Sequence, residues 1–166
     1  MKVIGFAGSN SKNSINKKLM EYVVGKIDSS DKTILDLNDF ELPIFGIDLE
    51  KETGIPANAT RFAELISSSD LIVVSLAEHN GSYSAVFKNL YDWVSRIPER
   101  KVWDGKKVLL MATSPGARGG AGVLEAAKIR FPRDGAEMVG IFSLPSFNDN
   151  FGKENAVLNT ILSSLK

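Results

Sequence analysis

The sequence predicts a single-domain α/β protein in which five parallel strands form a doubly wound sheet between two layers of helices, a three-layer αβα arrangement. Five short runs are predicted to be strands: residues 3–7, 32–37, 71–76, 107–112 and 136–142, of which 71–76 is the continuous apolar run expected of a strand covered on both faces. After the first run, Ile15, Leu19 and Val23 have the spacing of an amphipathic helix. Because parallel neighbours need a crossover helix, this alternation predicts the doubly wound sheet.

Helical spacing recurs after the later strands. Apolar residues from Val86 to Ile97 predict a helix that ends before Pro98, and Leu158 and Leu162 belong to a last helix. Residues 38–58 are expected to be irregular because they contain two prolines and two glycines. The length suits one domain, and no linker or repeat divides the chain, so residues 1–166 are assigned to a single domain.

The composition excludes several classes of function. Twenty basic and twenty acidic residues give a formal net charge of zero, which is unlike the basic stripe of a nucleic-acid-binding protein. No apolar run approaches the roughly 20 residues needed to span a bilayer. The chain has no cysteine and a single histidine, which excludes disulfides, thiol nucleophiles and a multi-histidine metal site. We therefore expect a cytoplasmic protein without a metal centre.

The first strand is followed by a polar loop, GSNSKNSIN, that leads into a helix. Backbone N–H groups at a helix N-terminus attract anions, and Ser9, Ser14 and Asn16 can add side-chain donors. Lys12 adds positive charge. The loop has neither the dinucleotide-binding glycine pattern nor a P-loop. It is either a phosphate site or an ordinary helix cap at Asn13 or Ser14.

The third strand is followed by a second loop, AEHNGSYS. Its ring, amide and hydroxyl side chains suit a planar ligand with polar edges. Within it, Glu78 is a candidate general base and His79 a candidate proton donor. The alternative is a solvated turn with local hydrogen bonds.

The fourth strand is followed by a third loop, TSPGARGGAG, with four glycines in seven positions. Glycines expose backbone N–H groups and let the backbone approach a ligand closely, and the next helix adds its positive end. The alternative is a flexible surface turn.

In doubly wound sheets, ligands bind beyond the carboxyl ends of the strands, at the point where the strand order reverses. We prefer the flavodoxin-like order 2-1-3-4-5, in which this point lies between the first and third strands. The three loops would then meet at one edge of the sheet. Together they would supply a phosphate site, a platform for a ring and a patch of backbone donors.

At these loops the sequence resembles the NADPH-dependent FMN reductase family, which includes azoreductases and quinone or chromate reductases. The family pattern G-S-x-R-x-x-S-x-N is matched by GSNSKNSIN, with Ser11 at the arginine position and Lys12 beside it. The family's P-E-Y-N-x-S appears as AEHNGS, with Ala77 for proline and His79 for tyrosine. KNLYDW matches K-N-x-x-D-W, and SPGARGG matches S-x-G-x-x-G-G. The resemblance covers essentially the whole chain.

The resemblance implies non-covalently bound FMN, with NADPH or NADH as co-substrate. By that match Ser9, Ser14 and Asn16 hold the phosphate, residues 77–80 contact the flavin ring, and residues 114–120 border one of its sides. The full predicted FMN-binding set is Ser9, Ser11, Lys12, Ser14, Ile15, Asn16, Ala77, Glu78, His79, Asn80, Gly81, Ser82, Ser114, Gly116, Gly119 and Gly120.

The implied reaction is hydride transfer from NAD(P)H to FMN and then to a quinone, azo, metal or flavin acceptor, with ping-pong kinetics. Because the flavin supplies the chemistry, no catalytic residue is assigned. The amides of Gly119 and Gly120 are candidates for stabilising the reduced ring. The alternatives are a flavodoxin-like electron carrier, for which a neutral chain is unusual, and a non-enzymatic weak flavin binder acting through protein contacts.

The helix over residues 84–97 has a second apolar edge formed by Phe87, Tyr91 and Trp93. This edge is either core in a thick region or a subunit contact, and we favour the contact. The resemblance also implies a homodimer or homotetramer. In such an assembly, residues 43–55 would contribute walls to a neighbouring site.

Overall fold

The computed structural model describes residues 1–165 and contains a five-stranded parallel sheet. Its strands are β1 (Lys2–Gly8), β2 (Asp31–Leu35), β3 (Leu71–Leu76), β6 (Lys107–Thr113) and β7 (Glu137–Leu144). A separate hairpin consists of β4 (Glu78–His79) and β5 (Ser82–Tyr83). The sheet order is β2-β1-β3-β6-β7, which is the predicted order 2-1-3-4-5 once the hairpin strands are set aside. The predicted fold is confirmed.

Helices connect and cover the strands. They are α1 (Ile15–Lys26), α2 (Ile47–Thr53), α3 (Ala57–Ser67), α4 (Ala85–Ser95), α5 (Ala121–Arg133), α6 (Phe147–Asn150) and α7 (Ala156–Ser164), with a 3₁₀ turn at Leu37–Asp39. Successive strand residues point to opposite faces of the sheet. Ile72 and Val74 therefore pack with α3, α4 and α5, whereas Leu71 and Val73 pack with α1 and α7. The sheet separates two apolar cores, as a three-layer fold requires.

Three predicted boundaries are wrong in detail. The second strand ends at Leu35 because the Asp36 carboxylate accepts the Asn38 N–H at 3.0 Å and begins the 3₁₀ turn. The last strand begins one residue later and ends two residues later than predicted, at Leu144. The stretch expected to be irregular contains α2 and the first two residues of α3. Helix α2 has no buried residue, so it lacks the apolar stripe that would have predicted it.

The second apolar edge of α4 is part of the core of its own chain. Phe87, Tyr91 and Trp93 are only 2%, 6% and 0% exposed. The segment before α2 covers Trp93, whose Nε1–H donates to the Pro43 carbonyl at 2.7 Å. The Phe45 ring packs edge-on against it, 5.1 Å between ring centroids. The preferred interpretation of this edge as a subunit contact is therefore wrong, and the core alternative is confirmed.

Candidate FMN site

The three polar loops lie at the same edge of the sheet. Gly8 at the end of β1 pairs with Leu76 at the end of β3, and Leu76 pairs with Ala112 near the end of β6. Loop 1 (residues 8–16), loop 2 (77–84) and loop 3 (113–122) therefore leave three adjacent strands side by side. This edge also contains the point between β1 and β3 where the strand order reverses, which is where such folds bind ligands.

Loop 1 is a series of short turns that ends in a helix cap. The Ser9 and Ser11 hydroxyls accept the N–H groups of Ser11 and Asn13 at 3.2 and 3.3 Å. Ser14 is the N-cap of α1, and its hydroxyl accepts the Lys17 N–H at 3.2 Å. The capping alternative is thus correct for Ser14. A hydroxyl that accepts one hydrogen bond can still donate its own proton, so capping and anion binding are compatible.

Asn16 lies beneath the loop and not at its surface. It is 3% exposed, and its side-chain oxygen accepts the Thr113 N–H at 3.0 Å and the Ser75 hydroxyl at 2.8 Å. Its side-chain N–H donates to the Thr113 carbonyl at 3.2 Å. The Asn16 amide therefore joins the start of α1 to the ends of β3 and β6. Its side-chain oxygen and one side-chain N–H are used within the protein and the side chain is buried, so any contact with phosphate falls to its backbone N–H.

An ion pair fixes the side of α1 next to loop 1. The Lys17 ammonium lies 2.7 Å from the Asp36 carboxylate, with both side chains about one-third exposed. The hydrogen bond from Lys17 lowers the pKa of Asp36, and the same bond raises the pKa of Lys17. Lys12, by contrast, is exposed at the tip of the loop. Lys12, and not Lys17, therefore has a position that suits contact with an anion bound at loop 1.

Loop 2 is the β4–β5 hairpin, which was not predicted from the sequence. His79 pairs with Ser82, and the two residues between them, Asn80 and Gly81, have φ of 52° and 77°. Positive φ at both central positions is the signature of a type I′ turn, for which Asn-Gly is the preferred sequence. The Asn80-Gly81 dipeptide is therefore the sequence signal from which the hairpin could have been predicted. The turn presents His79, Asn80, Gly81 and Ser82 to solvent, whereas Ala77 is buried at the end of β3.

Tyr83 anchors the hairpin to the core. Its ring lies 5.4 Å from that of Phe87 and stacks at 6.5 Å on that of Phe131. Burial raises the pKa of Tyr83 to about 12, so the phenol remains protonated near neutral pH. The exposed turn is thus supported by an aromatic residue that packs between α4 and α5.

Side chains of loop 2 hydrogen-bond to both other loops. The Ser84 hydroxyl donates to the Gly8 carbonyl at 2.7 Å, which joins loop 2 to loop 1. The Glu78 carboxylate accepts the Val123 N–H at 2.8 Å, which joins loop 2 to the start of α5 after loop 3. With Asn16 joining loops 1 and 3, hydrogen bonds connect loop 1 to both other loops and connect loop 2 to the helix that follows loop 3. Glu78 is therefore placed as a helix cap, and this contact gives it no role as a general base.

The glycines of loop 3 mostly serve packing within the protein. A Cβ on Gly120 would lie 2.6 Å from the Ala112 Cβ, and its φ is 77°. Gly119 is also buried, and its N–H donates to the Gly116 carbonyl at 3.3 Å. Its amide is therefore already used, which weakens the hypothesis that both amides face a ring. Gly116 and half-buried Ser114 lie nearer the surface, and the Ser114 hydroxyl donates to the Gly116 carbonyl at 3.1 Å.

Cavity volume alone does not locate this site. A groove of about 450 Å³ begins at Asn10 of loop 1 and runs between Phe40 and Val86 at the same edge of the sheet. A larger cavity, about 630 Å³, lies at the opposite end, beside Met1 and Lys26. That end lacks the three loops, so the assignment rests on their polar groups and not on volume. Among residues 1–165, no group of three or more acidic or histidine side chains could hold a metal ion.

Sequence comparison agrees with this geometry. A sequence model described as NADPH-dependent FMN reductase matches residues 1–149, which include all three loops. The chain belongs to the NADPH-dependent FMN reductase family. A quinone reductase of Pseudomonas putida is 32% identical over 121 residues, which make up 73% of this chain and 64% of that protein. A quinone reductase of Escherichia coli is 37% identical over 81 residues, or 49% of this chain and 43% of that protein. The match thus spans less than half the length of the Escherichia coli protein.

Solved structures share the fold. The flavoenzyme NAD(P)H:(acceptor) oxidoreductase FerB of Paracoccus denitrificans superposes with a TM-score of 0.74 at 24% identity, covering 99% of this chain and 92% of that one. An azoreductase of Bacillus anthracis gives a TM-score of 0.68 at 18% identity, covering 99% and 96%. At these identities the likeness concerns the fold alone.

The fold gives the family's K-N-x-x-D-W pattern a structural explanation. Asn89 accepts the Phe45 N–H at 2.8 Å and donates to the Pro43 carbonyl at 2.9 Å, and Trp93 donates to the same carbonyl. Lys88 and Asp92 form an exposed i,i+4 ion pair at 2.7 Å. The pattern thus attaches the segment before α2 to α4 of the same chain. Whether residues 43–55 also reach a neighbouring subunit stays a prediction.

Two features near the site were missed from the sequence. Arg118 is an exposed cation in loop 3, between Gly116 and Gly119, and no motif singled it out. The Asn38 side chain, in the 3₁₀ turn that follows β2, donates an N–H to the Asn10 carbonyl at 3.2 Å and so supports loop 1. Neither feature could be inferred from spacing, since both depend on how separate segments meet. No helix within residues 1–165 is long and apolar enough to cross a bilayer.

Proposed function

We propose that this protein binds FMN at the edge formed by loops 1, 2 and 3 and uses it to transfer electrons from NADH or NADPH to a small-molecule acceptor of the quinone or azo type. The observation that carries the proposal is the hydrogen bonding through Asn16, Ser84 and Glu78, which joins loop 1 to loops 2 and 3 and joins loop 2 to the start of α5. Such bonds hold separate chain segments in one arrangement, which is what a preorganised cofactor site needs.

The donor set of loop 1 fits a phosphate. Ser9, Ser11 and Lys12 lie near or at the surface, and both serines keep a hydroxyl proton to donate. The first amides of α1, at Ile15 and Asn16, have no partner within the helix and lie at its positive end. Hydroxyls, an ammonium group and helix N–H groups are the usual ligands of a phosphate monoester.

Loop 2 fits the edge of a flat ring. The hairpin is short, its turn is of a rigid type, and Tyr83 fixes it to the core. Its exposed residues, His79 to Ser82, offer an imidazole face together with amide and hydroxyl groups. In this family member the chain's own residues would bind and orient the ring rather than exchange protons with it.

When bound, FMN supplies hydride acceptance and donation, and the protein supplies position. Backbone N–H groups in the exposed part of loop 3, residues 116–118, would favour the reduced cofactor. NAD(P)H and the acceptor would use the same open side in turn, which predicts ping-pong kinetics. We assign no catalytic residue in the chain.

Visible absorption and rapid-reaction kinetics test the proposal. We expect the purified protein, or the protein loaded with FMN, to quench FMN fluorescence and to retain a yellow colour after desalting. Mixing it with NADH or NADPH should bleach the flavin band rapidly, and a quinone should restore it. Bound flavin without rapid bleaching would favour an electron carrier, and a chain that leaves FMN fluorescence unchanged would favour a non-enzymatic role. The formal net charge of zero argues against the carrier, since such proteins are usually strongly acidic.

Steady-state kinetics test the order of events. Initial rates measured against NADPH at several quinone concentrations should give parallel double-reciprocal lines. Intersecting lines would contradict the shared site and indicate that both substrates bind together.

A further inference from the structure

The N-terminus of α5 is capped by a residue from another loop. The N-cap residue is Gly120, which has no side chain and therefore cannot accept a hydrogen bond from the first amides of α5. Nothing larger fits there, since a Cβ would lie 2.6 Å from the Ala112 Cβ. The third amide of α5, the Val123 N–H, donates instead to the Glu78 carboxylate of loop 2 at 2.8 Å. Glu78 thus performs across the chain the role that Ser, Thr or Asp usually performs locally.

A second glycine makes this contact possible. A Cβ on Gly122 would lie 2.9 Å from the Glu78 Oε2 and 3.0 Å from the Gly81 carbonyl oxygen. A side chain at that position would push the hairpin away from α5. The close approach of loop 2 to the helix therefore depends on Gly122, and it places a negative charge against the positive end of α5.

We infer that Glu78 is a positioning residue that both attaches the hairpin to α5 and lowers the reduction potential of the flavin. The inference rests on the proposed function, because it assumes that FMN lies over loops 2 and 3. Reduction adds negative charge to the ring. The free positive end of α5 would stabilise that charge, whereas a helix end already paired with a carboxylate stabilises it less. The carboxylate thereby keeps the reduced cofactor a stronger electron donor.

The hydrogen bond and the charge of Glu78 have separable effects. Glu78→Gln keeps an oxygen that can accept the Val123 N–H but removes the charge, whereas Glu78→Ala removes both. Glu125→Gln is a matched control, because Glu125 is an exposed carboxylate on the same helix that forms a long ion pair with Lys128 at 3.8 Å.

The test measures three quantities in wild type and the three variants: the thermal midpoint of the FMN-free protein, the dissociation constant of oxidised FMN, and the midpoint potential by dye equilibration. For Glu78→Gln we expect a higher potential and a thermal midpoint slightly below wild type, because the attraction between the charge and the helix end is lost while the hydrogen bond is kept. That increase in potential should correspond to a change in relative affinity. Compared with wild type, the variant should favour the reduced form of FMN over the oxidised form by about two- to fivefold more, which is the range of helix-dipole effects. Glu78→Ala should also lower the thermal midpoint, and Glu125→Gln should change none of the three.

The contrary outcomes are distinct. If wild type binds FMN but Glu78→Gln has the potential of wild type and of Glu125→Gln, the inference is overturned while the proposed function stands. If wild type leaves FMN fluorescence unchanged, the proposed function fails and the inference fails with it. An unchanged thermal midpoint in Glu78→Ala would overturn the attachment of the hairpin, whatever the flavin does.

Discussion

Loops 1 and 3 both lead from the end of a central strand into a helix, yet the two helices begin in different ways. Helix α1 is capped by its own loop residue, Ser14, while Ser9, Ser11 and Lys12 remain near or at the surface. Helix α5 begins after buried glycines, and its N-terminus is capped by Glu78 of loop 2. The first loop therefore leaves polar side chains available to a ligand, whereas the third packs mainly against its own chain. Small and polar residues next to a helix do not by themselves distinguish these two uses.

The largest effect that follows from this contrast is expected at Gly120. Gly120→Ala places a Cβ 2.6 Å from the Ala112 Cβ and forces alanine into φ of 77°. The combined overpacking and backbone strain should cost about 3 kcal/mol of the free energy of unfolding, measured by urea denaturation. Gly116→Ala is the matched control, because a Cβ at that position would project into open space and its φ is not positive. If both variants lose similar stability, loop 3 is not the packed element described above.

Asn16 should give the next largest effect, since it joins the open loop to the packed one. Asn16→Ala leaves the Thr113 N–H, the Thr113 carbonyl and the Ser75 hydroxyl without their partner in a buried region. We expect a loss of about 2 to 3 kcal/mol and weaker FMN binding. Asn13→Ala, at an exposed position of the same loop, should change stability little. Equal urea midpoints for the two variants would show that the buried hydrogen bonds contribute no more than an exposed side chain.

Lys12 should affect ligand binding without affecting the fold. It is exposed, so Lys12→Ala should leave the urea midpoint unchanged. If loop 1 holds a phosphate, FMN affinity should fall about two- to fivefold, and the difference from wild type should shrink as salt is added. Fluorescence titration at two ionic strengths measures this, with Lys18→Ala on the exposed side of α1 as the control. Identical affinities for Lys12→Ala and wild type at low salt would count against a phosphate at loop 1.

The smallest effect is expected from the ion pair beside loop 1. Asp36→Asn keeps an acceptor for the Asn38 N–H but removes the pairing with Lys17. Since both side chains are about one-third exposed, we expect a loss of only about 0.5 kcal/mol near neutral pH. The folded-state pKa of Asp36 lies below its ordinary value of 3.8, so its contribution is present above that pH and is lost as the pH falls through the lowered pKa.

Urea denaturation at several pH values measures the effect of Asp36→Asn. The difference between variant and wild type should therefore vanish in acid. On the alkaline side, the difference in stability should persist above pH 10.5, because the pKa of Lys17 is raised above its ordinary value of 10.5. A difference that stays constant from acid to neutral pH would indicate a cause other than charge pairing.

Particular elements illustrate how far the sequence could be interpreted. Apolar runs predicted the three central strands β1, β3 and β6, because strands buried on both faces need such runs, whereas the edge strands β2 and β7 are partly exposed and their ends were misplaced. Helix α2 was missed because it has no fully buried residue and so no apolar stripe, and the hairpin was missed although Asn80 and Gly81 carried a usable signal. The aromatic edge of α4 was misassigned because its neighbours are distant in sequence: Pro43 and Phe45 cover Trp93, and Phe131 stacks on Tyr91.

The sequence by itself determined the alternation of strands and helices and the family, and it favoured the strand order that puts three polar loops at one edge. These features depend on local periodicity and on short motifs, which residue spacing expresses directly. Only the tertiary structure decided how each polar group is used. The Asn16 side chain lies inside the protein and donates to the Thr113 carbonyl, and the Glu78 carboxylate caps the N-terminus of α5. A buried donor or acceptor must find a partner, and in this fold the partners lie on segments distant in sequence.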